Sequence, residues 1–160
     1  MSASLALHGP PGEVPAGRPV PVRASLRNDG PGELWIVGVI DGSESGTRYP
    51  HWLPSIARGA RAVAGPPQAE DPLVGPLRPQ DFHRLGEGEE LDPGRLATFA
   101  TYAPADAGAY VYSLVLSTES ARVEDWFGAF NQDPAVGELV GRVPRLTLRA
   151  DLTVAVGAQH

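Results

Sequence analysis

The densest run of chemically capable side chains is Asp41-Gly42-Ser43-Glu44-Ser45-Gly46-Thr47-Arg48-Tyr49-Pro50-His51-Trp52. Alternating oxygens at Asp41, Ser43 and Ser45 open the way a calcium loop opens, because a hard cation needs several oxygens wrapped around it. Such a loop closes on a bidentate carboxylate at its twelfth position, where this chain has Trp52. The calcium match therefore lacks its decisive ligand. Gly42-Ser43-Glu44-Ser45-Gly46 also has the outline of a nucleophile elbow, but Glu44 stands where the attacking serine is needed. What the stretch does carry is recognition chemistry. Asp41, Glu44, Arg48, Tyr49, His51 and Trp52 supply both signs of charge and aromatic area on one loop, and loops on rigid scaffolds often bind. The competing expectation is that Tyr49, Trp52 and Ile56 fold the loop back as a lid.

The four histidines are His8, His51, His83 and His160, none at a short metal-ligand spacing. A metal site would need His51 and His83 to converge in space with Asp41 or Asp81. A second recognition candidate is the aromatic cluster Trp126, Phe127 and Phe130. It serves either as an anchor for a partner or as a plug for one end of its own fold. Glu87, Glu89, Glu90 and Asp92 form an acidic patch in a Gly-rich turn, where solvated carboxylates are expected rather than acid–base chemistry. No catalytic set and no cofactor motif emerges, so the expectation is a non-enzyme.

Those side chains must be positioned by a chain of 160 residues, enough for one domain with a real core, and a single domain over 1–160 is expected. Hydrophobic residues make up 42%, which argues against wholesale disorder. The 19 glycines and 17 prolines are scattered, as suits short strands joined by turns. All 13 basic residues are arginine, which, with the Ala, Gly and Pro enrichment, reads as the coding bias of a GC-rich bacterial genome. A net charge of −6 with no basic run argues against nucleic acid as a partner. The absence of cysteine excludes disulfides and thiolate metal sites. The first residues carry no signal-peptide pattern, and no apolar run is long enough to span a membrane. A cytoplasmic protein is expected.

Apolar residues alternate at period two over residues 20–26, 110–116 and 146–156, each predicting a strand with one buried face. Residues 34–40 are apolar on both faces and predict a central strand. Weaker strand signals fall at residues 4–7, 81–85, 90–91 and 96–102, with a turn over 86–89. Two long connections interrupt the pattern. Residues 41–80 read as an extended loop, and residues 118–142 hold a helical turn near 123–130 and a helix start at Asp133-Pro134.

Asp106-Ala107-Gly108-Ala109-Tyr110-Val111-Tyr112 resembles the Asp-x-Gly-x-Tyr-x-Cys stretch of immunoglobulin domains. The resemblance implies an all-β, immunoglobulin-like antiparallel sandwich with two long loop insertions. It further implies that Tyr110 is a corner residue whose hydroxyl bonds back to upstream backbone, that Tyr112 stands where the second disulfide cysteine would be, and that Trp35 falls where such folds bury an aromatic. Lacking that cysteine, the chain departs from the antibody type. Pro15-Ala16-Gly17-Arg18-Pro19-Val20-Pro21-Val22, followed by Leu26-Arg27-Asn28-Asp29-Gly30, is similar to the opening strands of bacterial cell-adhesion-related domains and intracellular proteinase inhibitors.

A rigid scaffold with elaborate loops predicts a protein-binding or assembly module acting through those loops or a strand edge, its partner another protein or a second copy. Two alternatives stand beside it. One is a protease inhibitor presenting Leu53-Pro54-Ser55-Ile56-Ala57-Arg58 as an extended loop. The other is a metal-binding protein or metal-dependent enzyme built on His51 and His83.

Overall fold

Period-two patterning and frequent turn residues yield a chain that is mostly β. The computed structural model describes residues 2–69, 73–129 and 133–158. In chain order, the strands among them are β1 (Ala3–His8), β2 (Val14–Pro15), β3 (Arg23–Asn28), β4 (Leu34–Val37), β5 (His51–Arg58), β6 (Arg61–Ala64), β7 (Phe82–Leu85), β8 (Glu90–Leu91), β9 (Gly108–Ser117) and β10 (Thr147–Gly157). Two short α-helices, α1 (Ala97–Thr101) and α2 (Val136–Arg142), lie in the connections. The strands form a five-stranded sheet ordered β2-β10-β9-β5-β6, a three-stranded sheet β1-β3-β8 and a ribbon β4-β7. Every pairing is antiparallel except β2 with β10.

The long pair β9–β10 anchors the core. On β10 the even positions Ala150, Val154 and Val156 are buried, while Thr147, Arg149, Asp151, Thr153 and Ala155 face solvent. On β9 Tyr110, Tyr112, Leu114 and Leu116 are buried in the same phase. These residues join Ala24 and Leu26 of β3, Leu34, Ile36 and Val37 of β4, and Trp52 and Ile56 of β5 in one apolar cluster. The Tyr110 hydroxyl donates to the carbonyl of Asp106 at 2.8 Å, the back-bond expected of a corner residue. Tyr110→Phe is expected to lower the unfolding free energy by ~1 kcal/mol, as for one lost intramolecular hydrogen bond. Urea denaturation checks it, and unchanged stability would remove the bond's structural role.

Three expectations about elements are corrected. The run at 34–40 does not provide the centre of the large sheet. Only Leu34–Val37 is strand, and it pairs with β7 alone in the ribbon. Trp35 is only partly buried, with Arg142 stacked 5.3 Å from its ring centre. The fully buried tryptophan is Trp52, which sits on β5 opposite Leu116 and donates its indole N–H to the Val37 carbonyl at 3.1 Å.

The connection over 41–80 is not one loop, because it contains the β5–β6 hairpin. Pro54 obscures that strand, since proline cannot donate to a ladder. The register resolves the conflict. Trp52 donates its backbone N–H to Ser43 rather than to β9, at 3.1 Å, so even positions of β5 turn their backbone away from β9. Pro54 is in that phase, and β6 reaches only Ile56 to Arg58, so no ladder bond is lost at Pro54.

Residues 96–102 form a helical turn rather than a strand. Leu96 and Phe99, three apart, enter the core together, and the Phe99 ring meets Tyr112 edge-on at 5.3 Å. Thr98 donates its hydroxyl to the Gly65 carbonyl at 2.9 Å.

Candidate functional site

The stretch from Asp41 to Trp52 folds as a compact turn whose polar groups are largely spent on its own backbone and neighbours. Gly42, at φ 85°, takes the left-handed conformation that lets Thr47 and Arg48 both donate to its carbonyl. Ser43 is buried and its hydroxyl oxygen accepts from the Ile40 N–H at 3.3 Å. An Asp41 oxygen accepts from the Gly75 N–H at 3.3 Å. A Glu44 oxygen accepts from the Ala97 N–H at 2.7 Å, satisfying a donor in the first turn of α1. Burial pushes the Glu44 carboxyl above its usual pKa, and the bond from Ala97 pulls the other way.

Arg48 is buried, with 4% of its surface exposed. Its Nε donates to the Asp41 carbonyl at 2.7 Å, while Nη1 meets no acceptor among the described residues. Burial lowers its pKa, opposed by the nearby charges of Asp41 and Asp81. Tyr49 stacks on His51 at 3.8 Å between ring centres and on Trp126 at 5.9 Å. Burial also pushes the His51 imidazole below its usual pKa, against the pull of Asp125.

Trp126 is fully buried, its indole N–H on the Ser120 carbonyl at 3.1 Å and Arg145 stacked 5.2 Å from its ring centre. Phe127 is half-buried against the core, and Phe130 and His160 lie outside the described residues. The backbone continues the theme. Tyr49 donates to the Asp125 carbonyl at 3.0 Å, and Ala129 donates to the Val74 carbonyl at 2.9 Å. The two long connections are thus laced to each other. Trp52, Arg48 and Trp126 pack inside that lacing, so their side chains are not offered to a partner's surface.

Two alternatives meet geometric obstacles. Leu53 to Arg58 is not a free loop: all six residues lie in β5, paired along its length with β9. A protease cannot take that segment as an extended bait without dismantling the sheet. Among the described residues, no three of His, Asp and Glu gather where one metal ion could sit. His51 instead stacks on Tyr49, and His83 lies in the β4–β7 ribbon opposite Ile36.

Two open clefts flank these elements. One, of about 590 Å³, is lined by Asp41, Glu44, Ser45, Thr47 and Gln68 among others. The other, of about 700 Å³, lies beside the β5–β6 turn, with Arg58, Arg61, Tyr102 and Asp106 on its walls. Arg58 is held there by Asp106 at 3.5 Å and by the Ala107 carbonyl at 2.6 Å.

The longest strand edge without a ladder partner among the described residues is the outer side of β10, a strand that β1 also packs against. β9 covers one side of the strand along its length, whereas β2 covers the other only at Val156 and Gly157. From Thr147 to Ala155 the outer edge has no strand partner among the described residues. Register with β9 is continuous, without a bulge, and the run contains no proline. Arg149 lies 3.1 Å from Asp151, and both reach the Ser113 hydroxyl on β9. The hydrogen bonds from Ser113 and then from Arg149 hold the Asp151 carboxyl below its usual pKa. Alternation in the sequence announced this strand, but its status as an edge follows only from topology.

Comparison with protein-family models, with curated proteins and with solved structures finds no match to this chain.

Proposed function

We propose that the chain is an immunoglobulin-like β-sandwich acting as a non-catalytic protein-binding or assembly module in the cytoplasm, with the outer edge of β10 as its contact surface. The single observation carrying this function is the open edge from Thr147 to Ala155. An unpaired row of backbone donors and acceptors templates the addition of another strand. Natural edges are usually blunted by proline, charged side chains, a bulge or a covering loop. This one has no proline or bulge, and its two charges, Arg149 and Asp151, neutralise each other. The immunoglobulin-like assignment is supported by three features. The order β10-β9-β5 parallels strands G, F and C, the Tyr110 back-bond has the corner geometry, and a buried tryptophan sits on the third of those strands.

Thr153→Pro is the direct test. Thr153 points its backbone outward, so proline there removes an edge donor and leaves the β9 ladder intact. Size-exclusion chromatography with light scattering, run beside affinity capture, is expected to show complexes with the parent chain and none with Thr153→Pro. Unchanged far-UV circular dichroism checks that the variant folds. Complexes that survive the proline overturn the edge as the contact surface. A parent chain that neither self-associates nor captures a protein overturns the module itself.

A further inference from the structure

Resting on the assignment of the β10 edge as the contact surface, we propose that its occupant is a second copy of this chain, with the two β10 strands antiparallel about a two-fold axis at Ala150.

The hydrogen-bond phase along β10 determines which residues can pair. The Thr118 N–H donates to the Leu146 carbonyl at 2.9 Å, continuing the β9–β10 ladder by one pair. Even positions of β10 therefore turn their backbone toward β9, because an antiparallel ladder alternates along the strand. Odd positions turn theirs outward. Gly157 obeys this phase, its carbonyl accepting from the Ala16 N–H on the outer side at 3.2 Å. The donors and acceptors without a strand partner among the described residues thus belong to Thr147, Arg149, Asp151, Thr153 and Ala155.

A two-fold pairing must set odd residues against odd residues, which leaves the position of the axis to the side chains. With the axis at Ala150, Arg149 of each copy lies opposite Asp151 of the other, and Thr147 lies opposite Thr153. Moving the axis by one residue toward Asp151 sets two carboxylates face to face, and one residue the other way sets two guanidiniums face to face. Opposite charges across a ladder stabilise and like charges destabilise. Charge complementarity therefore selects Ala150. The edge contributes one Arg and one Asp per copy, so the contact is locally neutral although each chain carries −6. A self-complementary patch of this kind is what a closed two-fold dimer requires.

The absence of native cysteine makes the register directly readable. Thr147→Cys and Thr153→Cys are made as separate single variants. Across the proposed interface they form a hydrogen-bonded pair with Cα atoms about 5.5 Å apart, within disulfide reach. Mixed and oxidised, they are expected to yield a covalent heterodimer, while each variant alone stays uncrosslinked. Equal crosslinking in the separate samples would overturn the register.

Sedimentation equilibrium supplies the second readout. Arg149→Asp and Asp151→Arg are each expected to weaken dimerisation about tenfold or more, and the double swap to restore it. A dimer indifferent to both reversals overturns the inference. A parent chain monomeric at about 100 µM also overturns it. If the Arg149, Asp151 and Thr153 amides of that monomer become protected from exchange by a different protein, the binding module survives without self-pairing. If no protein protects them, both fall.

Discussion

Trp52→Ala is expected to destabilise the chain by ~3–5 kcal/mol, the range for removing a buried large aromatic and leaving a cavity. That is a large share of the ~5–15 kcal/mol that holds a typical domain folded. Three structural facts set the expectation at the upper end of single-residue effects. Trp52 has no exposed surface, it lies on a strand paired with β9, and its indole N–H joins β5 to the β4–β7 ribbon through the Val37 carbonyl. Trp52→Phe separates the contributions. It keeps most of the apolar area but leaves the Val37 carbonyl without its donor, for an expected loss of ~1–3 kcal/mol. Denaturant titration followed by far-UV circular dichroism measures both. A loss below ~1 kcal/mol for the alanine variant would show that the core closes around the gap.

The second large effect is alkaline. Burial, with smaller contributions from Tyr102 and Tyr110, pushes the Tyr112 phenol from 10.0 up to about 12. The folded chain therefore holds this proton over a range in which the unfolded chain releases it. Stability is then full below pH 10 and falls as pH rises toward 12. Two pH units correspond to ~3 kcal/mol once the loss is complete. The Tyr112 hydroxyl meets no partner among the described residues. Tyr112→Phe is therefore expected to flatten the alkaline decline and to raise stability at neutral pH by ~1 kcal/mol. That is the opposite sign from Tyr110→Phe, although the two rings are two residues apart on one strand. Parallel alkaline slopes for parent and variant would remove Tyr112 as the source.

The contrast between these tyrosines also indicates how much of the fold was legible in the sequence. Alternation identified β9 and β10 because one face of each is buried and the other wet, and that signal is local. The turn at 86–89 and the start of α2 near Asp133 were legible for the same reason, as Gly conformations and an Asp side chain bonding the Ala135 N–H. β5 was not legible, because Pro54 is compatible with a strand only where the ladder is open on one side, a fact of topology. The sequence points to Trp35 as the enclosed indole for a related reason. Trp35 sits in an apolar run and Trp52 does not, and only the pairing of β5 with β9 encloses Trp52. At the candidate site the sequence marks the polar residues but not the partners that engage them. Asp41 and Glu44 accept from backbone donors at Gly75 and Ala97, more than thirty residues away, and no spacing rule encodes such partners.

The strict phase of β10 also governs where this chain tolerates a change in length. Deleting one residue inside Thr147–Gly157 would exchange the faces of every position beyond the deletion, driving charge inward or leucine outward. The turn between β5 and β6 obeys no such constraint. Gly59 there holds a left-handed φ of 61° with open space around it, and the neighbouring Ala60 is exposed. Gains and losses of residues in divergent copies of this sequence should therefore accumulate at that turn, while β10 keeps its residue count as its side chains drift.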